Sequence, residues 1–195
     1  MEMIRGLAAG TVALLPGAWN PPTCAHTAMA EAALEWADRA VFVLPRSFPH
    51  KPLEGAPFGQ RAEWLVALTE GDARLGAALS DGGLFIEMAR EARAAGAEGV
   101  YLVCGRDAAE RIAGWDYGSG DALAAQLTEY QMLVAPRQGE FHPEPALARC
   151  IHALRLGRDW QDVSSSEVRR RIAAGEAWRH LVPGLIVESV AAAYS

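Results

Sequence analysis

The stretch Val12–Leu34, VALLPGAWNPPTCAHTAMAEAAL, constrains the rest of the chain more than any other. A short buried strand is expected over Thr11–Leu15, stopped by Pro16-Gly17. An alanine-rich helix is expected over His26–Asp38, and the continuous apolar run Ala40–Leu44 reads as a second buried strand. Strand, helix and strand joined by short connections make a βαβ unit, which requires a parallel sheet with a right-handed crossover. The turn between the first strand and the helix also gathers unpaired backbone N–H groups at the positive end of the helix dipole, an arrangement suited to an anion. His26 can add a ring donor there, and Thr23 either joins the same cluster or serves as a plain helix cap.

The same alternation continues downstream. Helices are expected over Phe58–Glu70, Gly83–Ala95, Ala108–Ala113 and Asp121–Glu129, with strands at Leu75–Ser80, Val100–Cys104 and Met132–Ala135. Gln138–Pro145 reads as loop, Glu144–Leu156 as partly helical, and Asp162–Val163 as the end of a last edge strand. Ser164-Ser165-Ser166-Glu167 matches a capping box opening a helix that closes at Gly175, and Pro183 starts a final helix. The expected fold is α/β, a Rossmann-like doubly wound parallel sheet (α/β/α) forming one domain over residues 1–195, long enough for a single well-buried core. Ligands then bind outside the C-terminal strand ends, at the topological switch point.

Charge and cysteine content remove several function classes. A net charge of −6 argues against broad binding of nucleic acid or anionic membrane, but leaves room for a small positive pocket. Cys24, Cys104 and Cys150 are widely spaced, with no CxxC pattern for zinc and no disulfide framework, so free thiols in a reducing compartment are expected. The opening MEMIRG lacks the basic and apolar regions of a signal peptide, and no apolar run is long enough to span a bilayer. A soluble, cytoplasmic protein is the expectation. Oligomeric state is not legible.

Two further stretches carry charge in suggestive places. SSSEVRRR is either a capped, solvated helix or a second helix N-terminus whose serines and Arg169 face a phosphate. Arg170 and Arg171 lie about 100° apart around that helix and point elsewhere. Lys51, the only lysine, sits in a proline-rich loop between Pro45 and Pro57; it is either an exposed loop residue or a mobile point charge for a phosphoryl group.

Taken together, these motifs resemble the nicotinate/nicotinamide mononucleotide adenylyltransferases of the (H/T)xGH nucleotidylyltransferase superfamily. GAWNPPTCAH resembles the family's G-x-F-(D/N)-P-x-(H/T)-x-G-H, and PHKPL its P-H-K loop. GQRAEWLVAL is similar to its substrate-side helix, and CGRDAAERIAGW to its G-A-D segment with a following Trp. MLVAPRQG and VSSSEVRRRIAAGEAWRHLVP are similar to its V-P-R-x-G and I-S-S-T-x-I-R segments. Ala25 stands at the motif's glycine, and Pro16 and Ala18 stand at a glycine and a Ser/Thr. The family's P-S-Y-T segment has no counterpart near Gly82–Glu87.

The resemblance implies transfer of the adenylyl group of ATP to nicotinate or nicotinamide mononucleotide with release of pyrophosphate, in NAD biosynthesis. It implies catalytic roles for Thr23, His26, Lys51 and Arg169. ATP would contact Gly17, Ala18, Trp19, His26, Gly105, Asp107, Ser164, Ser165, Ser166 and Arg169, with helices of residues 164–195 completing its site. Asn20, His50, Lys51, Trp115 and Arg137 would lie toward the mononucleotide. Mg²⁺ would arrive with ATP, with no dedicated metal site in the protein. A related enzyme using another phosphorylated acceptor, or a non-catalytic nucleotide-binding protein, remain the alternatives.

Overall fold

The computed structural model describes residues 1–47, 55–115, 122–136, 139–157, 160 and 162–194. Its strands are β1 (Glu2–Arg5), β2 (Gly10–Pro16), β3 (Arg39–Pro45), β4 (Leu75–Ser80), β5 (Ala97–Gly105), β6 (Gln131–Ala135) and β7 (Ile151–Ala153). The helices are α1 (Cys24–Ala33), α2 (Phe58–Leu68), α3 (Phe85–Ala94) and α4 (Arg106–Ala113). They are followed by α5 (Ala122–Gln126), α6 (Ser165–Ala173) and α7 (Val187–Ala193).

The strands form one sheet in the order β1-β4-β3-β2-β5-β6-β7. Every pairing from β4 across to β7 is parallel, as the βαβ reading requires. The inner strands read as continuous apolar runs because both of their faces are covered. Alternate residues feed two cores: Ala13, Leu15, Phe42, Leu44 and Val103 on one face, Val12, Leu14, Val41, Val43 and Leu102 on the other. Buried residues of α1, α2, α6 and α7 join the first core, and those of α3, α4 and α5 join the second. The chain winds outward from β2 through β3 and β4, then returns to the other side of β2 for β5 and β6. The switch point lies between β2 and β5, and the fold is the expected α/β doubly wound sheet.

Several boundaries differ from expectation. The edge strand β1 pairs antiparallel with β4, Glu2 opposite Leu79, so the sheet is not wholly parallel. Glu144–Leu156 contains the edge strand β7, drawn in by parallel pairing with β6, and Asp162–Val163 is not a strand: the Val163 N–H bonds Trp160 O in a turn. Helix α1 starts two residues earlier than expected, at Cys24, with Thr23 as its cap. The capping box at α6 is half formed. Ser164 accepts from the Glu167 N–H, but the Glu167 carboxylate turns to Arg170 and Arg171 instead. After Pro183, one 3₁₀ turn at Gly184–Ile186 precedes the α-helix. Most of the Pro45–Pro57 loop, including His50 and Lys51, lies outside the described residues, as does Arg137.

Candidate active site

A cleft of about 520 Å³ opens at the C-terminal ends of β2, β5 and β6, across the switch point. Its floor is made by Leu15 and Pro16 from β2, Val103, Cys104 and Gly105 from β5, Ala135 at the end of β6 and Pro136 after it. Trp19, Ala25, His26 and Met29 come from the first loop and α1, and Ser164, Ser165 and Ser166 from the start of α6. Two helix N-termini from opposite ends of the sequence therefore open on one space, which is the condition for a polyanion site.

The first of these is built around His26, the third residue of α1. The buried cap residue Thr23 donates its backbone N–H to His26 Nδ1 at 3.0 Å, and its hydroxyl lies 2.9 Å from the same nitrogen. A backbone N–H can only donate, so Nδ1 is an acceptor and the neutral ring carries its proton on Nε2. His26 thus takes the place that Glu or Gln fills in the usual capping box. Trp19 meets the imidazole edge-on, with centroids 5.0 Å apart, and anchors its own Nε1–H on Val43 O at 2.7 Å. Gly17 lies beneath that indole: a Cβ there would come within 3.0 Å of Trp19 Cε2.

The loop between Pro16 and Thr23 is clamped from several sides. Fully buried Arg61 donates Nε–H to Ala56 O at 2.7 Å and Nη1–H to Ala18 O at 3.0 Å, and burial pulls its guanidinium below the ordinary arginine range. From α6, the Ser165 hydroxyl donates to Pro21 O at 2.7 Å and Arg169 Nη1–H to Asn20 O at 2.5 Å. The Asn20 side chain meets Ala56 and Tyr194. Its Oδ1 accepts from the Ala56 N–H at 3.1 Å and from the Tyr194 hydroxyl, and only a glycine at position 55 leaves it room, since a Cβ there would come within 2.6 Å. Burial raises the Tyr194 hydroxyl above its ordinary value, against the opposing pull of Arg169 and Arg61.

Of the residues singled out from the sequence, Trp19, His26, Gly105, Ser164, Ser165 and Ser166 line the cleft together. Thr23, Gly17, Ala18 and Arg169 stand behind that lining and hold the loop in place. Asn20 belongs to the buried knot under the loop. Asp107 is exposed in the first turn of α4, and Trp115 is 54% exposed beyond its end; neither contributes to the lining. Pro16 and Ala25, the departures from the motif, both face the cleft. Phe85, Arg111 and Met29 line it too and were not anticipated. Ala108 and Arg111, three apart on α4, share one helix face, a spacing that would have flagged Arg111 once that face was placed over β5. Cys104 is inert: burial pushes its thiol up to about 12.

Among curated proteins none matches the sequence. Two structures of one enzyme are among the solved structures that share the fold. Plasmodium falciparum nicotinic acid mononucleotide adenylyltransferase complexed with NaAD superposes with a TM-score of 0.67 at 16% identity, covering 93% of this chain and 94% of that one. The same Plasmodium enzyme complexed with APC gives 0.67 at 14% identity, covering 92% and 94%. Residues 14–171, from the middle of β2 to within α6, match the cytidylyltransferase-like family. That span contains both helix N-termini and the cleft between them, and the chain belongs to the cytidylyltransferase-like family.

Proposed function

We propose that the protein transfers the adenylyl group of ATP to a pyridine mononucleotide, releasing pyrophosphate. The observation that carries this reading is the convergence of the His26 ring and the Ser164–Ser166 helix start on one cleft at the switch point. The lining offers hydroxyls, backbone N–H groups and a ring N–H, donors that suit phosphate oxygens. Mg²⁺ would enter with ATP and would offset the negative charge of its phosphates. Fold-level similarity to an adenylyltransferase of known structure is consistent with the assignment.

In the reaction, a phosphate oxygen of the mononucleotide attacks the α-phosphorus of ATP. A new P–O bond forms, the bond to the α,β-bridging oxygen breaks, and the electron pair leaves with pyrophosphate. The attacking oxygen is already anionic, so no general base is required. His26, its proton held on Nε2 by the Thr23 contact, donates to a non-bridging α-phosphate oxygen as charge develops. The α6 N-terminus receives the phosphate chain, with Ser165 and Ser166 as hydroxyl donors. Arg169 and Lys51 supply positive charge, and Gly105 and Asp107 meet the nucleoside of ATP. His50, Trp115 and Arg137 lie toward the acceptor. Catalysis is then mainly positioning and charge stabilisation.

The test is pyrophosphate release with Mg²⁺ and either ATP or CTP, against a panel of acceptors including both pyridine mononucleotides. Turnover is expected with ATP and a pyridine mononucleotide. Turnover only with CTP, or only with another phosphate ester, would replace the substrate assignment. Nucleotide binding without turnover on any acceptor would overturn the enzymatic reading.

A further inference from the structure

The loop that leads to His26 holds one residue in a conformation its side chain disfavours. Trp19 has a left-handed backbone, with φ of 51°, which a bulky residue keeps only where its surroundings over-determine it. The residues on either side of it are the ones held. Arg61 donates to Ala18 O at 3.0 Å, and Arg169 to Asn20 O at 2.5 Å. The Asn20 side chain adds a further anchor, its Oδ1 accepting from the Ala56 N–H at 3.1 Å and from the Tyr194 hydroxyl.

Two short routes lead from Asn20 to the His26 ring. Along the chain, Pro21 and Pro22 alone separate Asn20 from Thr23, whose N–H makes Nδ1 an acceptor at 3.0 Å. Each proline has its φ locked at about −65°, so a shift of Asn20 passes to Thr23 with little to absorb it. Through space, the Trp19 indole beside Asn20 meets the imidazole edge-on, with centroids 5.0 Å apart.

Tyr194, the C-cap residue of α7, does not line the cleft. Nor does α7 depend on its hydroxyl for attachment. Trp64 Nε1–H and Gln60 Nε2–H both donate to Ser189 Oγ, at 2.9 and 3.1 Å, and Ile186 and Val190 enter the core beside α2. The Tyr194 ring stacks on Trp64 with centroids 6.3 Å apart, which aims the hydroxyl at the loop.

We propose that Tyr194 is a positioning residue for the transfer reaction: through Asn20 and Thr23 it keeps the His26 imidazole in the tautomer that presents Nε2–H to the cleft. A ring released by Thr23 also populates the Nδ1–H tautomer, whose Nε2 carries a lone pair and repels a phosphate oxygen. The inference rests on the adenylyltransferase reading for the use made of that proton, and on the loop alone for where the proton sits.

The test uses the full chain as wild type, Tyr194→Phe and Ser189→Ala, each also in a His26→Ala background. Long-range ¹H–¹⁵N NMR at about pH 8, above the ordinary histidine value, reads the tautomer, and loss of signals in His26→Ala identifies the ring. Wild type should show Nε2 protonated and Nδ1 bare, and Tyr194→Phe a mixture of the two tautomers. Ser189→Ala, which loosens the same helix, should keep the wild-type signals with a lower Tm. In pyrophosphate release, Tyr194→Phe should lower kcat by about 3–10-fold with KM for ATP within about twofold, and should have no further effect once His26 is alanine. An unchanged tautomer in Tyr194→Phe would overturn the proposal. So would an equal change in Ser189→Ala, or an equal loss of kcat with and without His26. If wild type turns over no acceptor, the proposed function falls, and the NMR comparison still upholds or overturns the hold of Tyr194 on the ring.

Discussion

The Thr23 backbone N–H donates to His26 Nδ1 at 3.0 Å, so the loop's last residue decides which nitrogen of the imidazole carries the proton. His26→Ala removes that donor from the cleft. It should lower kcat by about 10²–10³, the usual cost of losing one preorganised transition-state donor, with a smaller change in KM for ATP. Steady-state kinetics of pyrophosphate release check this, with Tm recorded alongside because the helix cap is also lost. An unchanged kcat would remove His26 from the chemistry.

Gly17 and Trp19 form a second coupled pair. Both donate to Val43 O, Gly17 through its backbone N–H at 3.1 Å and Trp19 through its indole at 2.7 Å, and Trp19 adopts a left-handed backbone with φ of 51°. Gly17→Ala should destabilise the fold by about 1–3 kcal/mol, because the new methyl meets the indole. In a Trp19→Phe background the same change should cost less. A double-mutant cycle by chemical denaturation measures the difference, and strictly additive costs would show that the two sites are independent.

Acid stability should report on the start of α6. Hydrogen bonds from Arg170 and Arg171 hold the Glu167 carboxyl at about 2, against an ordinary value of 4.5. A carboxylate lowered on folding contributes stability that is present above its unfolded pKa and lost as pH falls through the folded one. The Tm difference between wild type and Glu167→Gln should therefore hold steady above pH 4.5 and shrink between there and pH 2. A difference that grows on acidification would contradict the arrangement.

The central strands were legible in the sequence because each is buried on both faces and reads as an unbroken apolar run. The two edge strands were not. Glu2–Arg5 is short and partly exposed, and Ile151–Ala153 has three residues, too few to show a period; both become strands by pairing with a neighbour. At the site, the residues on the two helix starts could be read from motif and capping chemistry. The α3–α4 wall could not, because Phe85 and Arg111 approach the cleft only through the crossover that carries those helices to the other face. Asn20 carries a contact that its place in the motif did not show: its Oδ1 accepts from the Ala56 N–H and the Tyr194 hydroxyl beneath the loop.

The hydrogen bonds that fix the first loop have a consequence for how the protein comes to possess a cleft at all. Ser165 to Pro21, Arg169 to Asn20 and Tyr194 to Asn20 close circuits of 144, 149 and 174 residues along the chain. The entropy of closing a circuit grows only slowly, by about 0.6 kcal/mol for each doubling of its length, so the three differ little in cost. Once any one is closed, the others join residues already side by side. The three contacts should therefore form collectively, and the backbone amides of the loop should acquire hydrogen-exchange protection together with α6 rather than with the neighbouring β2.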